Sequence, residues 1–401
     1  MKKLLILAII LRLLVMPFFF HPDIKTYHFQ GSFLRQGVVN IYPYLIENKE
    51  NLTLKEEFVY FPLTYFFLGG YQTLVSPLLG SNFNAWLADA SGRAVESASV
   101  FRYLFLLKLP YLILDILMAF VLMQFFDKKE DKKRVFTVWL FNPFTLILIY
   151  FFSNVDIVPV FLTLLALLAM KRHKPIVASF VLALAVGFKA YPVLFLPLLL
   201  AKTESWADKI KSLAIFGLTC LAVILPFWSP AFVSSSFASG LTNRILEAGV
   251  SISGGERILI IPFALFALYI AGWYKKGVPL WKYFLAGLLL VIPFIHFHIQ
   301  WLLWAAPFIA VFWVKEKKLS WLLVLVAISA FAIPLLYNDK FMSVALLTPI
   351  SKWFGLVPAP FAIVQRLGDP YLFQSVVHSA LIGSSLALLW QMFKGGKNEQ
   401  S

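Results

Sequence analysis

Charge is scarce in this sequence. Only 14% of its 401 residues are Asp, Glu, Lys or Arg, where soluble globular chains carry about a quarter. It has a single cysteine, Cys220, which excludes an intrachain disulfide and a cysteine-built metal site. Acids are outnumbered by bases, 20 against 35, for a formal charge of +15. There is no Gly-rich phosphate loop of the P-loop or Rossmann type, no long low-complexity tract, and no polar block that reads as an appended soluble domain. The space is filled by apolar residues, 60% of the chain, with a mean hydropathy of +0.81. Several runs exceed the ~18 residues that mark a membrane helix. The pattern predicts an all-α polytopic membrane protein, with residues 1–401 forming one integral membrane domain.

Twelve apolar spans can be drawn, at about 4–20, 103–126, 135–152, 154–170, 175–189, 191–201, 212–230, 258–274, 279–297, 299–314, 319–337 and 374–393. The first begins on Lys2-Lys3 like a signal peptide, but it runs into Pro17 and three Phe with no small-residue cleavage site, so it reads as a retained span. Short basic clusters separate many of the spans: "DKKEDKKR" at 127–134, "KRHK" at 171–174, "KTESWADKIK" at 202–211, Lys275-Lys276, "KEKK" at 315–318, and Lys394 with Lys397. With Lys2 and Lys3 these turns hold 20 of the 35 basic residues, against 11 in the long loops 21–102, 231–257 and 338–373. The positive-inside rule then places both termini in the cytoplasm and the three long loops outside it. The basic excess is accounted for by topology, and nucleic acid is not needed as a partner. Parity makes 59–80, with Pro62, Gly69, Gly70 and Pro77, a juxtamembrane or re-entrant piece of the first loop. It also makes 175–201 cross twice, with Lys189 at the outer turn, the second crossing being short or broken.

Few ionisable groups remain once the turns are subtracted: Arg12, Lys108, Asp115, Asp156, Lys189, Lys282, His296 and His298. A charge within a span costs roughly 2.5–3.5 kcal/mol on insertion scales, so each calls for a partner or a function. Arg12 and Asp115 are both mid-span and are expected to pair. Lys282 lies near a cytoplasmic end and is expected to snorkel. Asp156, Lys189, His296 and His298 instead fall at turns on the outer face, where Asp23 also follows the first span. A carboxylate, an amine and imidazoles at a lipid interface suit an amphipathic phosphate-bearing substrate: the lysine neutralises phosphate and a carboxylate takes a proton from an attacking hydroxyl. The plain alternative is that Asp23 and Lys25 are interfacial flanks, and that the aromatics crowding this side form an interfacial belt.

The order of motifs carries a family resemblance. Asp23 comes just after the first span, then "YPYL" at 42–45, "VYFPL" at 59–63, "FLLKLPYLILD" at 105–115, "WLFNP" at 139–143, "NVD" at 154–156, "GFKAYP" at 187–192 and "IQWLLWAAP" at 299–307. Over residues 1–310 the chain resembles the membrane glycosyltransferases of the GT-C class that use polyprenyl-phosphate sugars, and within them the catalytic subunit of GPI mannosyltransferase I and its prokaryotic relatives. The resemblance implies a GT-C-like bundle of about 11–12 transmembrane helices with a long first extracytoplasmic loop. It implies an inverting transfer of a hexose, mannose foremost, from a polyprenyl-phosphate donor to a lipid-linked or glycan acceptor, at the extracytoplasmic face of a prokaryotic cell membrane. Asp23 corresponds to the family's catalytic base. Asn154 and Asp156 match the family's Asn-x-Asp turn, Lys189 a lysine before Tyr-Pro expected to contact the donor phosphate, and Gln300 with Trp301 a Gln-Tyr pair expected to line the donor site; with Lys25, Tyr191 and His298 they make up the expected substrate-binding set.

One departure stands out: the second acid of the family's Asp-x-Asp-like motif is Lys25 here, giving "DIK". A divalent cation held by two carboxylates is disfavoured, since a lysine would oppose it, and Lys25 is expected to supply the positive charge instead. A transporter or lipid or glycan flippase is the competing reading, with the intramembrane Asp, Lys and His as a relay. Such folds show matching halves with broken helices, and no convincing internal repeat is present here.

Overall fold

The structure, a computed structural model, describes residues 1–237, 244–275, 277–317 and 320–394. Helix takes 77% of it and strand 2%. A helix satisfies its backbone hydrogen bonds within one segment, as a chain this apolar requires in lipid. Lys276, Lys318 and Lys397 of the basic turns lie outside the described residues.

The first helix, α1 (Lys2–Val15), passes through a Pro17 turn into α2 (Pro22–Ser32), the chain bending by 82°. The first long loop is itself helical, with α2 followed by α3 (Ile41–Glu47), α4 (Pro62–Leu79) and α5 (Phe83–Ala88). Next come α6 (Val100–Met123), α7 (Lys129–Phe141), a short α8 (Pro143–Leu146) that continues as a π-helix to Phe151, α9 (Ile157–Lys171) and α10 (Pro175–Phe188). A 3₁₀ turn over Tyr191–Phe195 leads into α11 (Leu196–Lys202), then α12 (Trp206–Ile224). The loop 231–257 holds a three-residue α13 (Pro230–Phe232) and most of a hairpin, β1 (Gly249–Ser253) with β2 (Glu256–Leu259). The chain ends in α14 (Ile260–Tyr274), α15 (Leu280–Val291), α16 (Leu302–Lys315), α17 (Ser320–Ala332), a short α18 (Pro360–Val364) and α19 (Pro370–Lys394).

Each of the twelve predicted spans contains a helix. Among the described residues, three helices are long and apolar enough to cross a bilayer, up to five if the two bent pairs are each one span, and seven further apolar helices are 10–17 residues long. The expected pair forms: Arg12 and Asp115 are both fully buried, with Nε 2.5 Å from Oδ2. Lys282 does not snorkel. It is buried and bonded to Glu316 at 2.7 Å.

The segment 59–80 contains a continuous helix, α4, whose tight contact is with α2. A Cβ on Gly69 would lie 2.6 Å from the Gly31 carbonyl oxygen and 2.7 Å from Leu34 Cβ. The glycines are needed for this close crossing, and α2 carries Asp23. Gly69→Ala is expected to push α2 aside and lower the protein's activity, while Gly70→Ala, whose Cβ would meet open space, leaves it unchanged. Equal activity of the two variants would remove this role.

Candidate active site

His21 and Pro22 set the start of α2. Proline at the first helical position costs no hydrogen bond, and His21 Nδ1 accepts from the Asp23 backbone N–H at 3.3 Å. This places the Asp23 carboxyl at the mouth of the helix, about 31% exposed, facing a cavity of about 310 Å³. Its Oδ2 accepts from Gln300 Nε2 at 3.0 Å. Burial works to raise the carboxyl, but His21, the Gln300 amide and Lys189 outweigh it and hold the group below its ordinary value.

The turn at 153–156 is built around a non-ideal backbone. It follows the π-helix Ile147–Phe151, a form that recurs at functional sites, and Ser153 adopts a left-handed φ of 53°. Asn154 Oδ1 then accepts from the Asp156 N–H at 2.9 Å, and Asn154 Nδ2 donates to the Gln300 carbonyl at 2.9 Å. Asp156, 1% exposed, lies behind the cavity wall. Its Oδ2 accepts from Lys189 Nζ and from Trp304 Nε1, both at 2.7 Å.

Lys189 is aimed by its own helix end. The preceding carbonyl, Phe188 O, accepts from the Phe61 N–H at 3.2 Å and from Thr64 Oγ1 at 2.9 Å, and Lys189 leaves α10 in extended conformation. Its ammonium sits 4.6 Å from the Tyr60 ring centroid and 5.2 Å from that of Trp304, bonded to Asp156 and partly open to the cavity. Lys189→Met removes a charge-assisted contact and strands the Asp156 carboxylate. It is expected to lower kcat/KM for transfer about 10- to 100-fold, with Lys189→Arg retaining more activity than Lys189→Met. Equal loss in both would tie the defect to the Asp156 contact alone.

Trp301 lines the cavity and stacks on Trp304 at 5.4 Å, and Trp304 stacks on Tyr191 at 4.1 Å and 4°. Tyr191 therefore supports the wall from behind. His298 lines the cavity, and its Nε2 lies 2.9 Å from Arg244 Nη1. Burial, then His296, Arg244 and Lys189, push His298 down to about 4, so at neutral pH its Nε2 carries a lone pair that accepts from Arg244.

Of the nine site residues expected from sequence, Asp23, Lys189, His298, Gln300 and Trp301 line one cavity. Asn154, Asp156 and Tyr191 form the layer behind it. Lys25 is not brought there: its ammonium donates to the Asp89 carbonyl, because residues two apart on a helix point nearly opposite ways. The charge expected of it is carried instead by Lys189 and Arg244. Asp339, Tyr27 and Tyr60 also line the cavity, and Arg244 joins it through His298. Tyr27 and Tyr60 belong to the aromatic crowd visible in the sequence, whereas Arg244 and Asp339 have no motif and sit in loops.

A divalent cation does not fit this donor set. Among the described residues no three His, Cys, Asp or Glu groups converge as metal ligands, and the position of the second acid is a lysine that points away. What the cavity holds is the ionised Asp23 carboxylate, a second acid in Asp339, a lysine, and indole and phenol rings, with Arg244 reaching it through His298. That arrangement can accept a proton from a hydroxyl, neutralise a phosphate and stack on a sugar.

Residues 85–253 match the sequence model of glycosyltransferase family 87, about two fifths of the chain. The match indicates glycosyltransferase activity in a multi-pass membrane protein. It spans Asn154, Asp156, Lys189, Tyr191 and Arg244, and leaves Asp23, His298, Gln300 and Trp301 outside. No curated protein matches the chain.

Proposed function

We propose that this chain is an inverting hexosyltransferase that moves a sugar, mannose by its family resemblance, from a polyprenyl-phosphate donor to a hydroxyl of a lipid-linked or glycan acceptor. The reaction takes place at the extracytoplasmic face of a cell membrane. The observation that carries this reading is the Asp23 carboxylate, ionised, partly open to the cavity and fixed by Gln300, with Lys189 on the same cavity.

In the step proposed, the acceptor hydroxyl gives its proton to Asp23 as its oxygen bonds to the anomeric carbon. The bond from that carbon to the phosphate oxygen breaks on the opposite face, and the sugar is transferred with inversion. The leaving group is polyprenyl phosphate, and the charge that develops on it is met by Lys189 and by Arg244. Arg244 is oriented by His298. Trp301 and Tyr60 offer faces to the sugar ring. Asp156 is a positioning residue, since it acts by holding Lys189 and Trp304.

The test uses purified full-length protein in liposomes with radiolabelled polyprenyl-phosphate mannose and a lipid-extract acceptor. Label should pass to the acceptor with the anomeric configuration inverted, as read by NMR of the product. Retained configuration, direct use of a nucleotide sugar, or flux of the labelled donor across the bilayer without transfer would each overturn the reading, the last in favour of a flippase.

A further inference from the structure

The three helices that begin beside the candidate active site all finish on lysines. From Asp156, α9 runs to Lys171; beyond Lys189, the chain reaches Lys202 at the end of α11; after Gln300, α16 ends at Lys315. Thirteen to fifteen residues of mostly helical chain put these lysines about 20 Å from the site. There they line one cavity of about 340 Å³. An adjoining cavity of about 530 Å³ shares Lys202 and Glu204 with it and is faced by Trp206, Trp273 and Lys209. The Lys209 ammonium sits 4.7 and 4.1 Å from those two ring centroids.

Lysines at helix C-termini ordinarily offset their own helix carbonyls. Two of these reach elsewhere: Lys171 donates to the Gln124 carbonyl at 2.9 Å and Lys202 to the Lys275 carbonyl at 2.5 Å. The third, Lys315, lies 5.1 Å from the Phe126 ring centroid. Among the described residues neither Lys171 nor Lys315 is in an ion pair. Glu204 is the opposing carboxylate on the wall, so the cavity keeps an excess of positive charge. The first turn of α15 meets the same space through Pro279–Trp281, with no side-chain cap and no acid in that turn. The rest of the wall is His173 and the apolar side chains of Phe125, Leu167 and Met170.

Cationic groups and uncapped amides select a phosphate, and an apolar wall fringed by tryptophans selects one that carries acyl chains. We propose that this cavity binds the phosphate headgroup of an anionic phospholipid, with Lys171 and Lys315 as its main charge contacts and Phe125, Leu167 and Met170 against the glycerol and upper acyl carbons. It is a site separate from the reaction centre, at the other end of the same helices. Lipid bound there would tie the far ends of α9, α11 and α16 together.

The full-length protein is purified in a neutral detergent, and phosphatidylglycerol, phosphatidylcholine or inorganic phosphate is added. Bound lipid is read by native mass spectrometry and stability by the thermal midpoint. Phosphatidylglycerol should be retained and should raise the midpoint, whereas phosphatidylcholine and inorganic phosphate should do neither. The variant K171Q/K315Q should lose its preference for phosphatidylglycerol by roughly tenfold. K171R/K315R, the control K49Q/K55Q in the first loop, and D23N should all keep it, the last separating this site from the transfer reaction. Equal retention of the two lipids, stabilisation by inorganic phosphate alone, or an unchanged preference in K171Q/K315Q would overturn the proposal.

Discussion

Asp23→Asn is expected to lower kcat for sugar transfer by about 10²- to 10⁴-fold, the span typical of a lost general base, while leaving the thermal midpoint near that of the parent protein. The amide keeps the size of the carboxyl and can still meet Gln300 through its oxygen, but it has no basic lone pair for the acceptor proton. The side chain is about 31% exposed, with the His21 ring 3.4 Å away, and Gln300 can bond the amide as well as the carboxylate, so little folding energy depends on its charge. The pH profile gives a second reading. Because the Asp23 pKa is depressed, the base is ionised throughout the neutral range, and activity is lost as pH falls through that depressed value. His298, held down to about 4, takes up its proton as the pH falls toward that value and then can no longer accept from Arg244. The wild-type kcat/KM profile should therefore fall on the acid side, as His298 titrates near 4 and Asp23 takes up its proton. Full activity in Asp23→Asn, or a step near neutral pH that disappears with His298→Gln, would reassign the base.

Much of this arrangement is legible in the sequence, and the reason is membrane cost. A charge in an apolar run needs a purpose, so subtracting the basic turns isolates Arg12, Asp115, Asp156, Lys189 and His298, and helix parity brings the last three to one end. The pairing of Arg12 with Asp115 follows from the same economy, because neither has water to turn to. Lys25 shows where the logic fails. "DIK" reads as a loop motif in which both side chains face one substrate, yet the Pro22 start makes it the first turn of a helix, and the two side chains diverge. The capping signal was present in His21-Pro22 and outweighs the motif. Arg244 and Asp339 were out of reach for a different reason. Each stands in a long loop, and neither hydropathy nor periodicity marks its place there. Lys282 was misassigned because an end-of-helix position suggested solvent, whereas Glu316, 34 residues later, closes over it.

Asp115→Ala is expected to destabilise the fold by about 3–5 kcal/mol, the range for breaking a buried ion pair by removing one partner. The carboxylate accepts from three groups: Arg12 Nε at 2.5 Å, Tyr150 Oη at 2.8 Å and Trp139 Nε1 at 2.7 Å. Arg12 has carbonyl partners in Ala8 and Leu140, at 3.1 and 2.9 Å, which satisfy hydrogen bonds but not its charge. The double variant Arg12→Met/Asp115→Leu should cost less than the single Asp115→Ala, since it leaves no orphaned charge. The site feels this change because of Lys108. Seven residues before Asp115 and so on the same face of α6, its ammonium donates to the carbonyls of Met16, Phe19 and Tyr150 at 2.9, 2.6 and 2.8 Å. Asp115 thus holds the last turn of α1 and Lys108 the turn that follows it, where the chain bends to present Asp23, and through Tyr150 the same two residues hold the π-helix that leads to Asn154 and Asp156. Thermal and denaturant unfolding in detergent check the stability effect, and a midpoint for Asp115→Ala within error of the parent would refute it. Transfer kinetics of the double variant check the coupling: a protein that regains stability but shows reduced kcat places the α1–α6 clamp in the positioning of Asp23, and unchanged kcat confines the clamp to folding.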